Sequence, residues 1–198
     1  MDASHAQPLS TETHQHSEGL DLRKLGMWVF LSSEVLFFGA LIATFLVYKH
    51  RSVSGPGQEL LNLPLTGINT FILIISSLTM VLSLAAAMND QQRQLKFWLL
   101  ATIVLGSIFL SIQGYEYVEL WHEGLTPTRN LFGSAFYTLT GFHGTHVLVG
   151  VIYLFGVLLK ALFGGFGSKH YLPVELAGLY WHFVDLVWIV LFTLVYLI

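Results

Sequence analysis

No cysteine occurs anywhere in the 198 residues. That excludes disulfides, thiolate metal sites and cysteine-ligated copper or iron–sulfur centres. Charge is scarce as well, with Asp, Glu, Lys and Arg making up 11% of the chain, against about 25% in an average soluble domain. The net charge of −3 comes with no dense basic cluster, which excludes a nucleic-acid partner. A secretory signal is missing too, because residues 1–22 are polar and lack a charged start followed by an apolar run. What is abundant is apolar surface: 54% of residues are hydrophobic, 14% are aromatic, and the mean hydropathy is +0.65. A chain with so little polar surface has the bilayer as its solvent. Its length predicts one domain.

The tail of residues 1–22 reads as disordered, and its histidines (His5, His14, His16) read as solvated. Five hydrophobic segments follow, near residues 25–48, 65–88, 95–120, 131–163 and 171–198. Each exceeds the roughly 20 residues a helix needs to span hydrocarbon, and the strict alternation of a barrel strand is absent. The expected fold is therefore all-α, a transmembrane bundle of five helices over residues 23–198. Trp98, Trp121 and Tyr171 fall near segment ends and read as interfacial anchors.

The basic residues set the expected orientation. Arg23, Lys24, Arg93, Lys96, Lys160 and Lys169 fall on the starting side, and Lys49, Arg51 and Arg129 on the other. The excess predicts an N-terminus inside and a C-terminus outside.

Ionisable residues inside spans are costly and call for a reason. Glu34 lies about ten residues into the first segment, roughly 15 Å deep at 1.5 Å per residue. His143 and His146 in the fourth segment, and His182 and Asp185 in the fifth, lie at a comparable depth. Each of these pairs is spaced i, i+3 and shares a helix face. Three chemistries compete: a metal or haem site, a proton relay, and a structural clasp of interhelical hydrogen bonds worth about 0.6–2 kcal/mol each. Small residues around the histidines (Thr140, Gly141, Gly144, Thr145) mark tight helix contact and favour the clasp. Gln113, Glu116 and Glu119, toward the outer end of the third segment, are expected to meet headgroups, water or a partner subunit. Asn69 and Thr70 read as interhelical hydrogen-bonding positions.

Several segments resemble a known family. GFHGTHVLVG (residues 141–150) and LYWHFVDLVWIVLF (179–192) are similar to signature segments of subunit III of haem–copper terminal oxidases. MWVFLSSEVLFFGALIATF (27–45), FGSAFYTLTGFHG (132–144) and QGYEY (113–117) are similar as well, in the family's order. The resemblance implies a five-helix bacterial form in the cytoplasmic membrane, without the first two helices of the seven-helix form. It implies a subunit with no catalytic, cofactor-binding or metal-binding residue of its own. Haem and copper belong to partner subunits; the chain packs on subunit I, alongside subunit II and smaller subunits. The electron donor, cytochrome c or quinol, contacts other subunits. In such complexes subunit I reduces oxygen and pumps protons, while subunit III shields it, supports proton uptake and holds phospholipid along an oxygen entry route, where Phe37, Phe38 and Phe45 are candidate lining, ordinary bundle packing accounting for them equally well. The family's buried glutamate corresponds to Glu34, its paired histidines to His143 and His146, and its YWHF-V-D segment to His182 and Asp185. A basic contact to lipid phosphate corresponds to Lys160; a second is replaced by Gly165.

Alternatives are subunit III of a quinol oxidase, an accessory protein of a nitric oxide reductase system and, more remotely, an independent proton-coupled transporter using Glu34 and Asp185. Glu34 is expected to hydrogen-bond a histidine of the fourth helix, His146 first.

Overall fold

A computed structural model describes residues 21–49, 57–163, 166 and 171–198. His5, His14, His16, Arg51, Gly165 and Lys169 lie outside the described residues, as does nearly all of the polar tail. Within them the chain forms five long helices and no strand: α1 (Leu22–Lys49), α2 (Leu63–Met88), α3 (Gln92–His122), α4 (Leu131–Leu162) and α5 (Leu172–Phe192). A 3₁₀ turn (Gln58–Leu60) precedes α2, and a π turn (Thr193–Leu197) extends α5. All five are long and apolar enough to cross a membrane.

The helices overrun several of the hydrophobic segments. α3 starts at Gln92 and reaches His122, taking in polar residues at both ends. Hydropathy marks the length in hydrocarbon, whereas a helix continues until its backbone is capped. At α2 and α4 the caps are asparagines: Asn62 Oδ1 accepts from Leu65 N at 3.2 Å, and Asn130 Oδ1 accepts from Gly133 N at 2.7 Å. α3 ends in a Schellman turn. Gly124 takes the left-handed φ of 88°, and the amides of Gly124 and Leu125 donate to the carbonyls of Trp121 and Leu120.

α2, α3, α4 and α5 each pack on the next, and α5 returns to α2, closing a four-helix bundle; α1 packs outside it, on α4 and α5. α1 and α5 run parallel. Lys24 Nζ lies 2.7 Å from Glu175 Oε1 where both helices begin, and Lys49 Nζ donates to Leu194 O at 3.4 Å where they end.

The buried positions follow a heptad rhythm. On α3 all but Ile103 fall on the series Leu95, Leu99, Thr102, Gly106, Phe109, Gln113, Glu116 and Leu120, alternating steps of four and three. On α2 the series Thr66, Asn69, Leu73, Ser76, Met80, Ser83, Ala87 keeps the same rhythm. So does Val174, Ala177, Trp181, Val184, Trp188, Leu191, Val195 along α5 and its π turn. A 3.5-residue repeat keeps one seam facing its neighbour and gives left-handed, knobs-into-holes packing. α1 contributes one buried residue per heptad (Leu31, Phe38, Phe45), which is why it stays peripheral.

Polar groups line these seams. Thr79 and Thr102 share a hydroxyl–hydroxyl bond of 2.8 Å, and Asn69 Nδ2 donates to Phe109 O at 3.2 Å. The α5 tryptophans donate to α2 hydroxyls: Trp181 Nε1 to Ser76 Oγ (3.0 Å) and Trp188 Nε1 to Thr70 Oγ1 (2.9 Å). The Trp181 ring fits between Gly106 of α3 and Gly150 of α4. A Cβ at Gly106 would lie 2.5 Å from Trp181 Cη2, and one at Gly150 would lie 3.0 Å from Trp181 Cε3.

Gly106→Ala and Gly150→Ala are each expected to push the Trp181 ring out of place and destabilise the fold by about 1–3 kcal/mol. Gly156→Ala, whose Cβ meets nothing within 4 Å among the described residues, is expected to cause no loss of stability. Heat unfolding in detergent tests this, and equal midpoints for all three variants would refute the wedge.

Candidate functional site

Glu34 on α1 and His146 on α4 face each other. His146 Nε2 lies 3.1 Å from Glu34 Oε2, and both side chains are under one-fifth exposed. His146 Nδ1 lies 2.7 Å from Phe142 O. A carbonyl oxygen only accepts, so Nδ1 carries a hydrogen. The proton between Nε2 and Oε2 then rests on either atom, as imidazolium with carboxylate or as imidazole with carboxylic acid. In both forms the pair has no net charge, which is what a hydrocarbon environment tolerates. Phe38 stands 5.0 Å from the His146 ring, centroid to centroid. The pair sits in a cleft of about 360 Å³ between α1 and α4, with walls that include Met27, Phe30, Val149, Tyr153 and Tyr180.

The other midplane residues go elsewhere. His182 Nδ1 lies 2.7 Å from Ser77 Oγ, joining α5 to α2. Asp185, one turn on, is buried and hydrogen-bonds the same Ser77, while its Oδ1 has no partner among the described residues. His143 is fully enclosed in rings, stacked on Trp188 at 4.9 Å with Phe109 and Phe38 edge-on, and neither ring nitrogen has a partner among the described residues. The five residues share a depth but divide into separate contacts. Among the described residues, no three His, Asp or Glu side chains converge as metal ligands do.

The outer end of α3 departs from the sequence expectation. Gln113 and Glu116 do not face headgroups; they are turned into the bundle, 4% and 2% exposed. They fall on the heptad seam, which turns them inward. Glu116 Oε1 accepts from Thr66 Oγ1 (2.9 Å) and Tyr196 Oη (3.1 Å), tying α3 to α2 and to the π turn. Glu119 is half-buried. Phe38 and Phe45 are bundle core and only Phe37 is exposed, so the three do not line one outer path. Lys160 is exposed in the last turn of α4, its Nζ 5.2 Å from the Phe166 ring centre. Ser77, Thr66, Tyr196 and the two α5 tryptophans were missed by sequence reasoning. The 3.5-residue repeat, read through hydroxyls and tryptophans as well as aliphatic residues, finds Thr66, Trp181 and Trp188; Ser77 and Tyr196 lie one position off it.

The family model described as Cytochrome c oxidase subunit III matches residues 5–198. The chain belongs to the cytochrome c oxidase subunit III family. Curated relatives agree along nearly the whole chain. A cytochrome c oxidase subunit 3 from Bacillus sp. (strain PS3) is 37% identical, covering 96% of this chain and 92% of the relative. One from Synechocystis sp. is 43% identical over 94% and 80%. A probable quinol oxidase subunit 3 from Staphylococcus saprophyticus is 36% identical over 93% and 92%. Family membership and the five spans make this a multi-pass membrane protein. Within this subunit III the interhelical pairs Glu34–His146 and Glu116–Tyr196 stand where a soluble protein would have aliphatic packing.

Two measurements follow. In a double-mutant cycle, Glu34→Ala and His146→Ala are expected to couple by about 0.6–2 kcal/mol in detergent unfolding; additive losses would dissolve the pair. Glu116→Ala removes the acceptor that Thr66 and the buried Tyr196 share and is expected to cost about 1–3 kcal/mol. Tyr196→Phe alone should cost less than Glu116→Ala, and the opposite order would refute this assignment.

Proposed function

We propose that the chain is the accessory, non-redox transmembrane subunit of a proton-pumping haem–copper terminal oxidase in the bacterial cytoplasmic membrane. The observation that carries this reading is the family match over residues 5–198. Haem and copper sit in the catalytic partner on which this subunit packs. The use made of the midplane histidines supports the assignment: His146 is held by Glu34 and a backbone carbonyl, and His143 by rings. Relatives named for cytochrome c oxidase and for quinol oxidase match at 37% and 36% identity. Such parity is expected of a subunit that does not touch the electron donor.

The physical role is scaffolding. A bundle held by interhelical polar contacts presents a fixed apolar face to the catalytic subunit and keeps water and lipid headgroups away from it. The cleft beside Glu34 is apolar enough for a phospholipid chain. Tyr153 and Lys160 follow His146 at steps of seven, so they share its face of α4. Lys160 then stands about 21 Å from His146 along the helix, at headgroup level for a chain lying in the cleft. The basic-residue excess puts the start of α1 and the end of α4 on the cytoplasmic side. Lys160 thus meets inner-leaflet phosphate, where proton uptake also begins.

Affinity purification of the chain from native membranes is expected to bring down a haem-containing catalytic subunit; its absence would end the oxidase reading. In the purified complex, Glu34→Ala should keep the haem spectrum and shorten the time over which turnover lasts. Loss of haem absorbance from a still-assembled complex would contradict the structural role. Lys160→Glu should lower the phospholipid phosphorus retained per complex.

A further inference from the structure

α5 meets α2 around one serine. Ser77 Oγ lies 2.7 Å from His182 Nδ1 and also hydrogen-bonds the Asp185 carboxyl. Asp185 Oδ1 is buried with no partner among the described residues, so Oδ2 makes the contact with Ser77. Among the described residues no ion pair joins His182 to Asp185 directly.

Counting hydrogens leaves two arrangements. A serine hydroxyl has one hydrogen to give and lone pairs that accept. Ser77 therefore donates to one neighbour and accepts from the other. If it donates to Asp185, it accepts from an Nδ1–H of His182, and the carboxyl needs no hydrogen. If it donates to Nδ1, it accepts from Asp185, and only an un-ionised acid has a hydrogen to offer.

The unpartnered Oδ1 selects the second. An ionised carboxyl spreads its charge over both oxygens, and a buried charged acceptor without a donor is costly. In the un-ionised acid Oδ1 is a neutral carbonyl oxygen, and the cost is smaller. The surroundings supply no counter-charge. α2 carries no Asp, Glu, Lys, Arg, His or Tyr along its length. On the other helices packed on α5, Lys24 meets Glu175, Glu34 meets His146, and Lys49 reaches Leu194 O. His143 stacks on Trp188, and Lys160 lies over Phe166. An imidazolium at His182 would stand across the Ser77 hydroxyl from the carboxylate, so two ions would lose their water without touching.

We propose that Ser77, His182 and Asp185 form a proton-holding site, in which un-ionised Asp185 donates from Oδ2 to Ser77 Oγ and Ser77 donates to His182 Nδ1. His182 then carries its own hydrogen on Nε2. All three groups are neutral, the state a bundle interior in hydrocarbon tolerates. The site stores one dissociable proton between α2 and α5, apart from the Glu34–His146 pair. It is a property of these two helices and does not depend on the oxidase reading.

Infrared difference spectroscopy tests it on the full chain, purified from membranes with whatever accompanies it and carrying aspartate isotope-labelled at the side-chain carboxyl. The label separates aspartate from glutamate and from lipid esters. At neutral pH the expected result is the carbonyl stretch of an un-ionised acid, displaced by the label and lost in Asp185→Asn. If that variant does not accumulate, Asp185→Glu also removes the labelled band. Ser77→Ala should keep the band and raise its frequency, because the acid loses its acceptor. His182→Phe should keep the band as well. Carboxylate bands alone at Asp185 in the unsubstituted chain would overturn the proposal. So would an acid band that first appears with His182→Phe, the mark of imidazolium beside carboxylate. A band that Ser77→Ala leaves unmoved would overturn the bond from Oδ2 to the serine.

Discussion

Trp181 is where four helices meet. Its ring fills the notch between Gly106 and Gly150, and its indole nitrogen donates to Ser76. In water such a junction would be one contact among many, because every buried apolar side chain gains from leaving the solvent. In hydrocarbon that gain disappears, since lipid tails are as apolar as leucine. What remains is dispersion across close surfaces and hydrogen bonds that have no water to compete with them. The structure is arranged around those two terms. Glycines let helices approach, tryptophans fill the space, and hydroxyls or amides recur along the α2 and α3 seams.

The same constraint explains what was legible in the sequence. The five spans follow from hydropathy alone, because a helix is the simplest way to satisfy the backbone in lipid. The seams were hidden because apolar residues occupy both faces of each helix. Inner and outer faces differ in size and polarity, not in hydrophobicity. Thr102, Gly106, Gln113 and Glu116 look like interruptions of α3 until the 3.5-residue repeat shows them as its inner face. Nearness to the helix end suggested that Gln113 and Glu116 met headgroups. Depth along a helix, however, says nothing about direction around it. Trp98 and Trp181 are one residue type at two depths, and only partner contacts separate an anchor from a wedge.

The midplane residues show what depth does and does not determine. Glu34, His143, His146, His182 and Asp185 share a layer, yet the bundle divides them, with only His182 and Asp185 meeting at one residue, Ser77. Glu34 and His146 bind α1 to α4 with a pair that is neutral wherever its proton lies. His182 reaches Ser77 of α2. His143 stacks among rings, where its imidazole serves as a flat aromatic surface. A subunit whose task is to hold shape needs many such separate ties. One converged cluster would concentrate polarity at a single point and leave the remaining seams unheld.

The position of α1 has a consequence for biosynthesis. Its packing partners, α4 and α5, are both made after it, with α2 and α3 in between. Glu34 precedes His146 by 112 residues. At about 5–20 residues per second on the ribosome, the carboxyl waits roughly 6–22 seconds for its partner. During that interval α1, with one buried residue per heptad and an unmatched acid at mid-depth, has neither of its main packing partners beside it. The helix made before the four-helix bundle therefore docks only once α4 and α5 have followed it.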